Sequence, residues 1–345
     1  MKAVAYSIKS CEKEPLIRAN NKKHDITLIS NRLTKDTVSY AGGKEAVLVS
    51  SSDDLSARVL HNLKDFGVKF ICTRSSGADH IDLAEAKRLG LMVADSISYS
   101  RALVAEHTLA LLLTLVKNIS TLDSQTMMYD ARLENPLDNP VSDKTIGIIG
   151  FGETGQALTK LLIGFGARVI VHDVLNLAEK AKILGAEQVS LDEILNESDI
   201  ISFHTPLNKN THHPVNSETI SKMKKGVILI NVNRGAIFNL RDVYNSLRNG
   251  SISKIGMNVY ESEYNVSVLK SRSLTDNKLF KALIKNSRVL IIPHKSFLTK
   301  EAILEISAKT IENLDNWAAI KEIGIQNPLS GETSSRTGFI TPSNS

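Results

Sequence analysis

The chain has 345 residues, 42 Lys+Arg against 37 Asp+Glu for a formal net charge of +5, and 42% hydrophobic residues. That balance leaves room for two domains with substantial cores and excludes a disordered chain. The basic residues never gather into a block, so nucleic acid is not an expected partner. Cys11 and Cys72 are the only two cysteines, and without zinc or redox spacing they exclude a disulfide framework. The start, Met1-Lys-Ala-Val-Ala-Tyr-Ser-Ile, lacks a long apolar region and cleavage signal. The longest apolar stretch, Leu109 to Val116, is too short to span a bilayer, so a cytoplasmic protein with no membrane partner is expected.

Taken in chain order, short apolar runs at 3–8, 46–49, 68–72 and 91–93 are predicted strands, with helical spacing over 55–66 and 82–89. Asp53 and Asp54 read as helix-start residues ahead of Leu55. From Ser100 a long apolar segment, 102–116, has no clean polar face, which predicts a helix buried on most sides at a domain or subunit boundary. Asn135-Pro and Asn139-Pro then punctuate a loop.

The run Thr145-Ile-Gly-Ile-Ile-Gly150-Phe151-Gly152-Glu153-Thr154-Gly155 is the most informative stretch. A G-x-G-x-x-G that follows an apolar β-branched run and opens a helical pattern is a dinucleotide fingerprint. Gly150 serves the tight turn, Gly152 the backbone approach to a pyrophosphate, and Gly155 the packing of helix on strand. A second apolar run, 168–172, ends in Asp173, the place for a carboxylate that accepts from an adenosine ribose diol and repels a 2'-phosphate. NAD is the expected cofactor. Predicted strands at 199–203, 226–232, 255–259 and 288–292, separated by helical stretches such as 241–249, continue a doubly wound parallel sheet of the α/β class. A last helix over 300–320 has no strand after it and is expected to return to the first domain, and the polar tail beyond Asn327 is expected to be loose.

Three polar sets fall at predicted strand ends: Asn233-Arg234-Gly235, Asn258 with Glu261 and Glu263, and Pro293-His294. Carbonyl reduction by hydride needs a cation to hold and polarise the substrate, an acid for the nascent alkoxide and a partner for that acid. Arg234, His294 and Glu263 are the right three types. Arg234 can grip a carboxylate in a two-point fork, and His294 can exchange a proton while Glu263 fixes its ring. His212-His213 looks like a metal pair, but adjacent histidines cannot share one ligand face without a special turn and no carboxylate or thiol cluster accompanies them, so a solvated loop is favoured and no metal is expected.

With these residues in place the chain resembles the D-isomer-specific 2-hydroxyacid dehydrogenases, in the D-lactate dehydrogenase-like branch. The resemblance covers about residues 45 to 320, through Cys72-Thr-Arg-Ser-Ser-Gly-Ala-Asp-His-Ile-Asp, Tyr99-Ser with Val104-Ala-Glu-His, the fingerprint, His204-Thr205-Pro206, Asn231-Val232-Asn233-Arg234-Gly, Val259-Tyr-Glu-Ser-Glu and Pro293-His. It implies that Arg234, Glu263 and His294 are the catalytic positions. It also implies that backbone N–H groups around Ser76 and Gly77 hold the substrate carboxylate, that Tyr99 lines the pocket, and that His204, Thr205, Pro206, Val232, Asn233 and Asn258 flank the cofactor. The implied architecture is a Rossmann-type NAD domain (101–295) inserted into a flavodoxin-like substrate domain (1–100 and 296–330), with 331–345 as tail and a cleft that closes by hinge motion. Homodimers joined near 102–116 are the implied assembly. The implied reaction interconverts a small 2-keto acid and its D-2-hydroxy acid, with pyruvate and D-lactate expected first. A bulkier acid such as 2-ketoisocaproate or phenylpyruvate, and a non-catalytic NAD-sensing corepressor-like protein, are the alternatives.

The chain departs from the family pattern at Asn258, where aspartate is usual, and at Lys295 directly after His294. Asn233, Ser100-Arg101 in place of Ser-Pro, and Phe238-Asn239 in place of Val-Asp are further departures. Asn258 keeps hydrogen-bonding capacity but removes a charge, which predicts weaker cofactor placement and an altered pH profile.

Overall fold

The computed structural model describes residues 1–75, 80–96, 101–119, 140–208, 210–258, 278–292 and 299–322. The chain divides into two compact units, one of Met1–Tyr99 with Leu298–Ser345, the other of Ser100–Phe297.

The first unit is built on a five-stranded parallel sheet of β1 (Lys2–Ala5), β2 (Asp25–Leu28), β3 (Ala46–Val49), β4 (Phe70–Thr73) and β5 (Met92–Asp95) in the order β2-β1-β3-β4-β5. This is the flavodoxin-like order. β3 and β4 are buried at every residue, as parallel strands covered on both faces must be. One face packs on α2 (Ala57–Asp65), whose Val59, Leu60 and Leu63 are buried, and on Ala86 of α3 (Leu83–Arg88). The other face is covered by α1 (Ser10–Asn20) and by α11 (Lys300–Glu322), which supplies Ile311, Leu314 and Trp317 to a core with Phe70 and Cys72. Phe70 and Trp317 stack with ring centroids 5.6 Å apart.

Polar side chains bolt α11 in place. Thr310 Oγ1 donates to Ser96 Oγ at 2.8 Å, and Asn313 Nδ2 donates to the Asp95 carbonyl at 2.6 Å. Asp53 is not a helix-start residue as expected, since α2 begins four residues later behind Ser56. Its buried carboxylate instead accepts from Ser7 Oγ (2.6 Å), the Ser50 amide (2.6 Å) and the Leu33 amide (2.8 Å), tying together the loops that leave β1, β2 and β3.

The second unit is a seven-stranded parallel sheet ordered β12-β11-β10-β9-β6-β7-β8. Its strands are β6 (Thr145–Ile149), β7 (Arg168–His172), β8 (Glu187–Gln188), β9 (Ile200–Phe203), β10 (Val227–Asn231), β11 (Ile252–Met257) and β12 (Val289–Ile291). Among the described residues of this unit, the fingerprint strand is followed by the helices α5 (Glu153–Gly164), α6 (Ala178–Ile183), α7 (Leu191–Glu197), α8 (Ser217–Ser221), α9 (Leu240–Asn249) and, before β12, α10 (Lys278–Ile284). The long apolar helix is α4 (Arg101–Val116). It buries Ala105, Thr108, Leu111, Leu112, Leu115 and Val116 in a core shared with α5 and β6, while Ala102 and Ala110 are exposed. Because sequence order reverses between β6 and β9, the sheet has a topological switch point there, and ligands of open α/β sheets bind in the crevice at that point. Among the described residues no helix is long and apolar enough to cross a membrane.

Candidate active site

β6 delivers the glycine loop to the switch point. Gly150 has φ 95°, and its amide donates to the His172 carbonyl at 2.8 Å. A Cβ at Gly150 would lie 2.7 Å from the His204 carbonyl carbon, so both the conformation and the close approach of the loop after β9 demand glycine. Gly155, buried in the first turn of α5, would overlap the Gly150 carbonyl oxygen if it carried a Cβ, which fixes how tightly helix packs on strand. Gly152 differs: no described atom lies within 4 Å of the place its Cβ would take, and as the N-cap of α5 it leaves the helix end without a side-chain cap. Uncapped N–H groups facing open space make a cradle for an anionic phosphate. The Phe151 side chain is fully buried and turned away from the cradle's open space, and its carbonyl accepts from Gln156 Nε2 at 2.9 Å.

Asp173 follows β7 and accepts from the Phe151 amide at 2.7 Å through Oδ2 and from the Leu175 amide at 3.0 Å through Oδ1. The Asp173 carboxylate is thereby fixed to the glycine loop. These features fit a dinucleotide.

Four strand ends are stitched together beside the loop. The His204 amide donates to the Ile149 carbonyl at 2.7 Å, and the Thr205 carbonyl accepts from the Asn233 side-chain amide. Asn231, the fully buried last residue of β10, donates through Nδ2 to the Arg234 carbonyl at 2.7 Å and accepts from the Asn233 amide at 3.0 Å. The Asn258 amide donates to the Asn231 carbonyl at 3.1 Å. Arg234 is half-buried, its backbone extended and its Nη1 donating to the Asn233 carbonyl at 3.3 Å. Val232 is buried, Thr205 half-buried and Pro206 exposed.

Two imidazoles border this constellation. Burial pushes the His204 pKa down to about 4, so the ring is neutral at pH 7, with Nε2 2.8 Å from Ser202 Oγ. His107 on α4 is also pushed below its usual pKa by burial, against the opposing effect of a side-chain hydrogen bond with Asn258.

Asn231, Ser202 and His107 were not among the residues expected to build the site. Asn231 carries a signal in retrospect, as a polar residue closing a fully buried strand. Glu263, His294, Ser76, Gly77, Tyr99 and Lys295 lie outside the described residues. The stems flanking 76–79 are described: Thr73 Oγ1 is 2.9 Å from Ser75 Oγ and 3.3 Å from His80 Nε2. Arg74 is buried between Glu12 (2.9 Å) and the Tyr6 carbonyl (2.7 Å). The His212 and His213 rings lie 4.0 Å apart between centroids, tilted by 39°.

A flavodoxin-like unit interrupted by a doubly wound sheet, with an open glycine loop at the switch point of that sheet, is the arrangement of a two-domain, dinucleotide-binding protein. A family model described as "D-isomer specific 2-hydroxyacid dehydrogenase, NAD binding domain" matches residues 109–296. The chain is 36% identical to the D-lactate dehydrogenase of Escherichia coli (strain K12) over 318 residues, 92% of this chain and 96% of the relative. Among solved structures it is similar to the D-lactate dehydrogenase from Aquifex aeolicus complexed with NAD and lactic acid, at TM-score 0.85 and 30% identity, covering 94% of this chain and 98% of the other. It is also similar to D-2-hydroxyisocaproate dehydrogenase, at TM-score 0.81 and 25% identity, covering 93% and 98%. The chain belongs to the D-isomer-specific 2-hydroxyacid dehydrogenase family, in its D-lactate dehydrogenase-like branch, and is an NAD-dependent enzyme of that class.

Proposed function

We propose that this enzyme reduces pyruvate to D-lactate, with Arg234 as substrate anchor, His294 as acid/base and Glu263 as the partner that orients His294. The observation that carries the Arg234 assignment is the brace at its backbone. Asn231 is buried and bonded on both sides of the turn, so the guanidinium stem starts from a fixed point beside the glycine loop. A fixed guanidinium can hold a carboxylate by two parallel hydrogen bonds while its charge polarises the adjacent keto group.

NADH, when bound, supplies the hydride. The chain's own residues do the rest. The α5 N-terminus and Gly152 take the pyrophosphate, and Asp173 takes the adenosine ribose. His294 gives its proton to the keto oxygen in reduction and recovers it in oxidation, with the Glu263 carboxylate keeping the ring's pKa near working pH. Ser76, Gly77 and Tyr99 complete the substrate pocket.

The test is loss of NADH absorbance with pyruvate, 2-ketoisocaproate and phenylpyruvate as substrates, for wild type and Arg234→Gln. Turnover of pyruvate above the bulkier acids, with kcat/KM falling at least ~10³-fold in Arg234→Gln, is expected, because an anchor that also stabilises the transition state acts on both steps. Preference for a bulkier acid moves the substrate assignment, and absence of turnover with any 2-keto acid sinks the enzymatic reading of this site. We further infer a cytoplasmic homodimer joined through α4. The exposed Ala102 and Ala110 and the half-buried Leu109 and Leu113 on that helix support an interface there. Sedimentation as a monomer at micromolar concentration would overturn it.

A further inference from the structure

Arg101 stands at the first position of α4, where the helix dipole disfavours a cation. Nothing in that helix's first turn compensates it, since no acidic residue lies there. Its guanidinium instead reaches Glu153, the first residue of α5, in an ion pair between two exposed side chains. Both residues belong to the same unit. The N-termini of two helices therefore meet at this pair, one residue beyond the open cradle at Gly152.

Glu153 is awkward for a phosphate site. A carboxylate at the start of α5 takes the same positive field that a pyrophosphate would use, and it repels the dianion directly. We infer that Arg101 is a cofactor-affinity residue of this chain, which cancels the Glu153 carboxylate and so keeps the α5 N-terminus available to the pyrophosphate of NADH. The inference rests on the assignment of that cradle to NADH and concerns its electrostatics alone.

Charge arithmetic fixes the order of affinities. The wild-type pair is neutral, Arg101→Ala leaves one negative charge beside the dianion, Glu153→Gln leaves one positive charge, and the double variant is neutral again. NADH binding, followed by quenching of protein fluorescence from the single tryptophan or by calorimetry at low ionic strength, is expected to be tightest in Glu153→Gln. Wild type and the double variant should agree within about twofold, and Arg101→Ala should be weaker by about fivefold to twentyfold. In 0.5 M salt, where the Debye length is only about 4 Å, the spread should collapse to about twofold. Both side chains are exposed, so thermal melts of the four proteins should coincide.

Equal affinity of Arg101→Ala and wild type at low salt would overturn the inference. So would a double variant as weak as Arg101→Ala, or a loss that survives high salt. Wild-type binding of NADH checks the cradle assignment separately, because the inference stands or falls on the order among the four proteins.

Discussion

At the scale of single residues, the site is governed by how its polar atoms are fixed. Asn258 is nearly fully buried, with its backbone on Asn231 and its side chain on His107. A carboxylate there would favour the protonated imidazole and place a negative charge near the Arg234 turn. Asn258→Asp is therefore expected to shift the pH profile of kcat/KM and to change the affinity for NADH; an unchanged profile and affinity would remove Asn258 from the site. His204 gives a second expectation. Its folded pKa, about 4, lies below the usual 6.5. Between those values the unfolded chain binds the extra proton, so the contribution is fully present above pH 6.5 and drains away as pH falls towards 4. Urea unfolding of wild type should lose about 2–3 kcal/mol across that window relative to His204→Gln, and parallel pH curves would contradict it. The glycine and acid positions were legible in the sequence because each has a steric or charge requirement that few residues meet. Asp53 was not, because the Ser7 hydroxyl and Leu33 amide it holds come from loops far away in sequence, and Asn231 was not, because its bonds to the Asn233 amide and the Arg234 carbonyl exist only in the folded shape of the turn after β10.

Elements were legible in proportion to how strongly they are patterned. The buried parallel strands and α4 announce themselves as apolar runs. β2, with alternate residues exposed, and α1, which contains Pro15 and buries only Leu16, carry too little apolar signal to be read. The departure Phe238-Asn239 is absorbed by the fold: Phe238 is fully buried against Phe203 at 5.5 Å, and Asn239 caps α9 by accepting from the Asp242 amide, as aspartate would. α11 is held by polar pins as well as by its apolar face. Asn313→Leu would strand the Asp95 carbonyl, at a cost of about 1–3 kcal/mol. A loss below about 0.5 kcal/mol by urea denaturation would show that the packing of Leu314 and Trp317 suffices.

For the whole molecule, each unit has its own buried core: Val47, Leu60 and Ile71 lie in one, Ile148, Leu229 and Ile255 in the other. NADH bound in the second unit stabilises it by about 2.7 kcal/mol at a hundred times its Kd. Calorimetry is expected to show two transitions, of which only one moves to higher temperature with NADH; a single transition that shifts as a whole would show the units to unfold together. The insertion itself has a consequence for how the chain is made. The face of the first sheet that carries Phe70 is closed by Trp317 of α11, yet the whole stretch from 100 to 297 must be synthesised between them. At roughly 5–20 residues per second the ribosome leaves that face without its lid for roughly 10–40 s, long enough for the inserted unit to fold first. A nascent chain arrested before α11 should accordingly be a chaperone client through its oldest residues rather than its newest.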